Sequence, residues 1–156
     1  MSFVKLNGDW QKKSAMTGGF VGANKVSAQI RFKKQYDGMD NWWGVLVAFV
    51  DSKLAVNKCK DSLLSVHKKS SRKNFSYGIY PSCDDCPYNV KKAFSHGELS
   101  FNEPINILYN RQARTVEFFS KTFEYTQTAL PKNVDFAIWL SLWYPPQEVE
   151  VKIIDI

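Results

Sequence analysis

Residues 25–33 place Val26, Ala28, Ile30 and Phe32 alternately with Ser27, Gln29, Arg31 and Lys33. A repeat of two matches an extended strand, whose successive side chains point to opposite faces. The same string laid on a helix would scatter its apolar groups around the whole circumference. The run therefore reads as a half-buried strand, with one face on a core and the other in water, and it needs a second layer to cover it. The same period recurs downstream. Ile105, Ile107 and Tyr109 share one face of 105–110, and Val116 and Phe118 share one face of 115–120. In 148–155, Val149, Val151 and Ile153 alternate with Glu148, Glu150 and Lys152. In 136–143, Phe136, Ile138, Leu140 and Leu142 oppose Trp139, Ser141 and Trp143. Residues 42–50 are instead almost wholly apolar, with aromatic and β-branched side chains, as in a central strand covered on both faces. Residues 75–80 read as a short strand ended by Pro81.

Turn chemistry separates these runs. Asp37-Gly38 and Asp40-Asn41 lie between 25–33 and 42–50, so these two strands are expected to pair as a long hairpin. Asn110-Arg111-Gln112-Ala113 closes a second hairpin from 105–110 into 115–120. Pro145-Pro146 stops the strand at 136–143, and a late hairpin with 148–155 is expected. Helical periodicity is confined to 60–69, enough for a turn or two, and residues 81–104 read as a long loop of the kind that carries function. At 156 residues, 44% hydrophobic and 15% aromatic, the chain has the makings of one folded domain spanning 1–156. Many short strands without alternating long helices put it in the all-β class, as a sandwich or barrel.

The formal net charge of +6 is unevenly spread. Residues 53–73 hold seven basic residues against Asp61 alone, and 14 basic and 14 acidic residues remain elsewhere. Lys68, Lys69, Arg72 and Lys73 form the densest patch. A solvated loop is the ordinary reading of such a run, and a surface for a phosphate backbone or another acidic partner is the functional one. No stretch reaches the roughly 18 apolar residues of a membrane span, and the first ten residues lack the apolar run of a secretory signal, so a cytoplasmic or nuclear setting is expected. The odd cysteine count, Cys59, Cys83 and Cys86, suits a reducing compartment. Cys83-Asp84-Asp85-Cys86 has the spacing of half a zinc site, with Cys59, His67 and His96 as the other possible ligands, but a second such pair is absent, the intervening acids and Pro87 also suit a plain turn, and no metal is expected. Asp37 and Asp40 are too few oxygen ligands for calcium.

No enzymatic activity and no cofactor are expected. The chain lacks G-x-S-x-G, the phosphate-cradling G-x-x-x-x-G-K-[ST] and G-x-G-x-x-G, and Gly18-Gly19-Phe20-Val21-Gly22 leads into no helix pattern. Rigid aromatics dominate binding hot spots, which draws attention to Trp42, Trp43, Trp139 and Trp143, although core packing competes for each of them. Tyr36, Asp37, Asp40 and Asn41 together have the mixed aromatic, acidic and amide composition of a contact loop.

The order of these strings resembles that of the SPRY or B30.2 family, a bent two-sheet antiparallel β-sandwich of concanavalin-like architecture. Residues 25–33 followed by Asn41-Trp42-Trp43-Gly44-Val45 are similar to its early strand and "W-x-G-V" strand. Asn74-Phe75-Ser76-Tyr77-Gly78 is similar to its "sYGy" strand. Residues 105–110 with Arg114-Thr115-Val116 and Phe118-Phe119 resemble its "GVLLDyeagTisFy" hairpin. Leu140-Ser141-Leu142-Trp143-Tyr144-Pro145 with Val149-Glu150-Val151 resembles its closing pair. The chain departs from the family in having Gly97-Glu98-Leu99-Ser100 where "GD-x-I-G" is usual, Asn110 where the strand commonly ends in Asp, and no "NG" after Phe119. The resemblance implies a non-catalytic module that recognises a protein or short peptide through loops at one end of the sandwich. It points to Trp143 and Tyr36 as pocket residues, with Asp37, Asp40, Asn41 and Tyr77 completing the candidate contact set. Nucleic-acid binding through 53–73 and carbohydrate binding on a lectin-like sandwich are the alternatives.

Overall fold

A computed structural model describes residues 2–3, 7–9, 14–33, 46–55, 76–80, 90–92, 103–121, 123–141 and 148–156. In chain order the elements are β1 (Ser2–Phe3), β2 (Asn7–Asp9), β3 (Ser14–Met16), β4 (Lys25–Lys33), β5 (Leu46–Asp51), α1 (Ser52–Ala55), β6 (Ser76–Tyr80), β7 (Val90–Lys92), β8 (Ile105–Asn110), β9 (Thr115–Phe119), β10 (Glu124–Gln127), β11 (Phe136–Ser141) and β12 (Glu148–Asp155). They form two six-stranded sheets, ordered β1-β12-β4-β8-β9-β10 and β2-β3-β11-β5-β6-β7. Neighbours pair antiparallel throughout, except that β6 and β7 run parallel. The all-β two-sheet sandwich read from the sequence is therefore the fold. Among the described residues the one helix is the single turn α1, and no helix is long and apolar enough to cross a membrane.

The period-two pattern decides what faces the interior. Val26, Ala28 and Ile30 of β4, Ile105, Ile107 and Tyr109 of β8, Val116 and Phe118 of β9, and Val151 and Ile153 of β12 supply one inner face. Val47 and Phe49 of β5, Tyr77 of β6, and Phe136, Ile138 and Leu140 of β11 supply the other. Phe49 stands at the centre. Its ring stacks on Phe136 with centroids 4.7 Å apart and lies 4.9 Å from Tyr109 across the sandwich. Offset rings at such distances add about 0.5–1.5 kcal/mol per pair beyond area burial.

Two expected hairpins are not formed. β4 pairs with β12 and β8 in one sheet, whereas β5 pairs with β11 and β6 in the other. β11 and β12 likewise belong to different sheets. The physical reason lies in the outer faces. β4 and β12 alternate polar and apolar residues and line a sheet with a wet outer surface, while Ala48, Val50, Ala137 and Trp139 are buried on the outer side of β5 and β11. Strands covered on both faces pair with each other, and so do strands covered on one. The hairpin of β8 and β9 forms as expected, with Asn110 opposite Thr115. β7 lies inside the stretch read as a loop, 81–104, and the short helix expected at 60–69 falls outside the described residues.

Trp139 is fully buried, so packing and not recognition accounts for it. It occupies the cross-strand row Met16, Trp139, Ala48, Gly78, which sets the largest side chain beside two of the smallest. At Gly78 a Cβ would come within 2.4 Å of the Val47 carbonyl oxygen and 2.8 Å of the Ala48 Cα. Only glycine allows β5 to approach this closely.

Candidate functional site

The sandwich has two ends, and the chain uses them differently. At one end β4 finishes beside the start of β12, with Lys33 opposite Glu148, and β5 begins beside the finish of β11, with Leu46 opposite Ser141. The connections 34–45 and 142–147 thus leave and re-enter the sandwich at the same end, each crossing from one sheet to the other. Tyr36, Asp37, Asp40 and Asn41 belong to the first connection and Trp143 to the second. Those five residues lie outside the described residues, as do Trp42, Trp43, the patch Lys68, Lys69, Arg72 and Lys73, and Cys59, Cys83, Cys86, His67 and His96.

Tyr77 is the one expected contact residue that the structure describes, and it is a core side chain. It is 3% exposed and meets Phe136 edge-on at 6.2 Å. Burial pushes its hydroxyl above the ordinary tyrosine range, with the Arg114 charge opposing. Strand alternation is the cause: in β6 position 77 points into the sandwich while Gly78 takes the outer side. A ring so enclosed offers a partner almost no surface.

The opposite end is built around Asp135, which the sequence did not single out. Its carboxylate Oδ1 accepts hydrogen bonds from the Gly22 backbone N–H at 3.0 Å and from Arg111 Nη2 at 2.8 Å. Its carbonyl oxygen accepts from the Ser52 N–H at 2.9 Å and the Ser52 hydroxyl at 2.6 Å. Arg111 Nη2 also reaches the Val134 carbonyl, and the Arg111 N–H donates to the Asn24 carbonyl. One residue therefore ties the turn before β4, the turn after β5 and the β8–β9 hairpin to the start of β11. The Arg111 contact, followed by the Gly22 N–H, holds the Asp135 carboxyl below its usual range. The Tyr109 hydroxyl, buried beside Arg111 and outside hydrogen-bond geometry, is pushed up chiefly by loss of solvent. These partners are 24 and 113 residues away along the chain, and no local pattern announces them.

Nearby, Arg114 takes a left-handed conformation at φ 58°, and its guanidinium donates to the Leu130 and Ala129 carbonyls at 2.7 and 3.3 Å. Ala129 is also left-handed, at φ 61°. The chemistry of this end is that of a clamp. An ionised carboxylate is committed to an arginine and a backbone amide. Among the described residues no group of three or more His, Cys, Asp or Glu side chains is arranged to hold a metal ion.

No protein-family model and no curated protein matches the chain. Among solved structures it is similar to the SPRY domain of human HERC1, at 12% identity and a TM-score of 0.50, over 97% of this chain and 92% of that one. At this identity the likeness is one of architecture. The protein has a SPRY-like β-sandwich fold.

Proposed function

We propose that this protein is a non-catalytic module that binds a protein or short peptide through the connections 34–45 and 142–147. The supporting observation is the pairing of Lys33 with Glu148 and of Leu46 with Ser141, which starts and ends both connections at one end of a rigid frame. Rigid strands that carry recognition loops are the general division of labour in β-sandwiches. The resemblance of the sequence strings to the SPRY family points the same way and nominates Tyr36 and Trp143 as anchors, and the composition of the first connection adds Asp37, Asp40 and Asn41. An aromatic pair at a loop cluster is the arrangement that concentrates binding energy, commonly 2 kcal/mol or more per anchor.

The test compares the wild type with Trp143→Ala, Tyr36→Ala and the opposite-end control Lys132→Ala in quantitative cross-linking capture, each first shown to melt like the wild type. Proteins lost from both aromatic variants and retained by Lys132→Ala support the reading. An unchanged captured set with folded variants removes these loops from the site. Nucleic-acid binding through 53–73 would give a different result: retention that falls steeply with salt and disappears when Lys68, Lys69, Arg72 and Lys73 are neutralised.

A further inference from the structure

The sheet ordered β1-β12-β4-β8-β9-β10 ends in β10, and the phase of its hydrogen bonds fixes where the backbone groups of that edge point. β10 pairs with β9, with Glu124 opposite Phe119, Tyr125 opposite Phe118, Thr126 opposite Glu117 and Gln127 opposite Val116. One step before Glu124 and Phe119 in the same register, the Ser120 N–H donates to the Phe123 carbonyl. Bonded and non-bonded pairs alternate along an antiparallel ladder. Tyr125 and Gln127 therefore direct their N–H and C=O groups at β9, and Glu124 and Thr126 direct theirs away from it. Both of these residues are exposed, and their outward groups meet no hydrogen-bond partner among the described residues.

Natural sheets keep an edge from further pairing with proline, lysine, a bulge or a covering segment. β10 reads Glu-Tyr-Thr-Gln, without proline or lysine, and its register with β9 is unbroken. On the outer face Glu124 and Thr126 stand beside Glu117, which lies opposite Thr126 and diagonal to Glu124. Diagonal positions are about 7–8 Å apart, within reach of long side chains. Neither carboxylate belongs to an ion pair among the described residues. On the inner face Tyr125 is half-buried against the core, and its hydroxyl donates to Gln127 Oε1 at 2.7 Å. The edge thus presents two carboxylates on one side and a partly covered ring on the other.

We infer that the free edge of β10 takes an extended peptide as an added antiparallel strand, one that alternates basic and apolar residues. Strand addition draws its affinity from main-chain hydrogen bonds and its selectivity from alternate side chains. Glu124 and Thr126 each supply one N–H and one C=O to the incoming strand. Basic side chains opposite them lie on the outer face, within reach of Glu124 and Glu117. The peptide residue opposite Tyr125 falls in a non-bonded pair, where facing side chains come closest, and an apolar group there covers the ring. A second copy of this chain suits the edge less well. Pairing β10 with itself about Tyr125 sets the Glu124 residues of the two copies diagonal to each other, which adds like charge where a basic peptide neutralises it. The edge shares no residue with the connections 34–45 and 142–147, and its role does not depend on theirs.

The experiment titrates the full chain against a fluorescent hexapeptide of alternating lysine and valine, with amide hydrogen exchange followed by NMR. Saturable binding is expected, together with slowed exchange of the Glu124 and Thr126 amides. N-methylation of the lysine amides, which point at β10 in this register, lowers affinity by at least about tenfold, whereas N-methylation of the valine amides does not. Thr126→Pro gives a similar loss without breaking the ladder, because proline is accepted on an edge strand where its missing N–H would face solvent. Glu124→Lys leaves the backbone intact, weakens the lysine peptide by at least about tenfold and gains binding of the matching glutamate–valine peptide. Tyr36→Ala and Trp143→Ala leave peptide binding unchanged, which separates this edge from the loops. The inference is overturned if the wild type does not bind the peptide, if both methylated peptides bind alike, or if exchange slows elsewhere and not at Glu124 and Thr126. It is equally overturned if the 17.9 kDa chain doubles in mass in sedimentation and Thr126→Pro returns it to the monomer, since the edge then belongs to a second copy.

Discussion

Replacing Asp135 with Asn tests the clamp in a way that separates charge from shape. The amide keeps an oxygen for the Gly22 N–H and for Arg111 Nη2, so the geometry survives while the negative charge is removed. Arg111 and Asp135 side chains are 21% and 24% exposed, which leaves their attraction partly screened by water. Pairs of this kind contribute about 0.2–1 kcal/mol, and the Gly22 N–H loses some strength when its acceptor becomes neutral. A loss of about 1 kcal/mol at pH 7 is expected. The pH dependence gives the sharper test. Folding lowers the Asp135 pKa, first through Arg111 and then through Gly22. A carboxyl depressed in the folded state contributes stability in full above its unfolded value of about 4, and the contribution is lost as pH falls through the lower folded value. The difference between wild type and Asp135→Asn should therefore hold steady from pH 7 to 5 and shrink toward zero on acidification below about pH 4. Urea unfolding followed by tryptophan fluorescence at pH 7, 5 and 3 measures it, and 1 M salt should narrow the gap at pH 7. A difference that is constant across this range, or that widens in acid, would refute the assignment of the stabilisation to the Asp135 charge.

Two further outcomes follow from backbone geometry. Gly78→Ala should destabilise by about 2–3 kcal/mol or more, because its Cβ would press on backbone atoms of β5 that cannot swing aside; a urea midpoint within error of wild type would contradict the close approach. Ala129→Gly should leave stability unchanged or raise it by up to about 1 kcal/mol, a melting increase of about 2–4 °C at most, since relief of the left-handed conformation at φ 61° offsets the extra freedom of glycine in the unfolded chain. A clear drop in the melt would show that the alanine methyl group packs usefully there.

Strand existence was legible because the period of two is imposed by the strand itself. β4, β8, β9 and β12 appear in the sequence with their inward residues in place, and Val26, Ile107, Phe118 and Val151 are buried as their spacing requires. Pairing was less legible. Turn chemistry shows where the chain reverses, but it does not show whether the reversal returns along the same sheet or crosses to the other one. The residues carried a usable cue: the continuously apolar strands β5 and β11 seek each other, and the alternating strands β4 and β12 do likewise. Tyr77 was misread as a contact residue because a single aromatic in a short strand looks alike from either face. Tyr36, Asp37, Asp40 and Asn41 were singled out by their composition and Trp143 by the family resemblance, and the strand ends explain why two segments so far apart in sequence start and finish at one end of the frame.

Local spacing by itself determined that this chain is built of strands, which side of most of them is apolar, and where its excess positive charge is concentrated. These follow from neighbours along the backbone, within the reach of covalent geometry. Only the tertiary structure decided which strands share a sheet, and that Gly22, Ser52 and Arg111 converge on Asp135. Such meetings depend on how two layers close over a common core, and contacts made across tens of residues leave no periodic trace in the string that makes them.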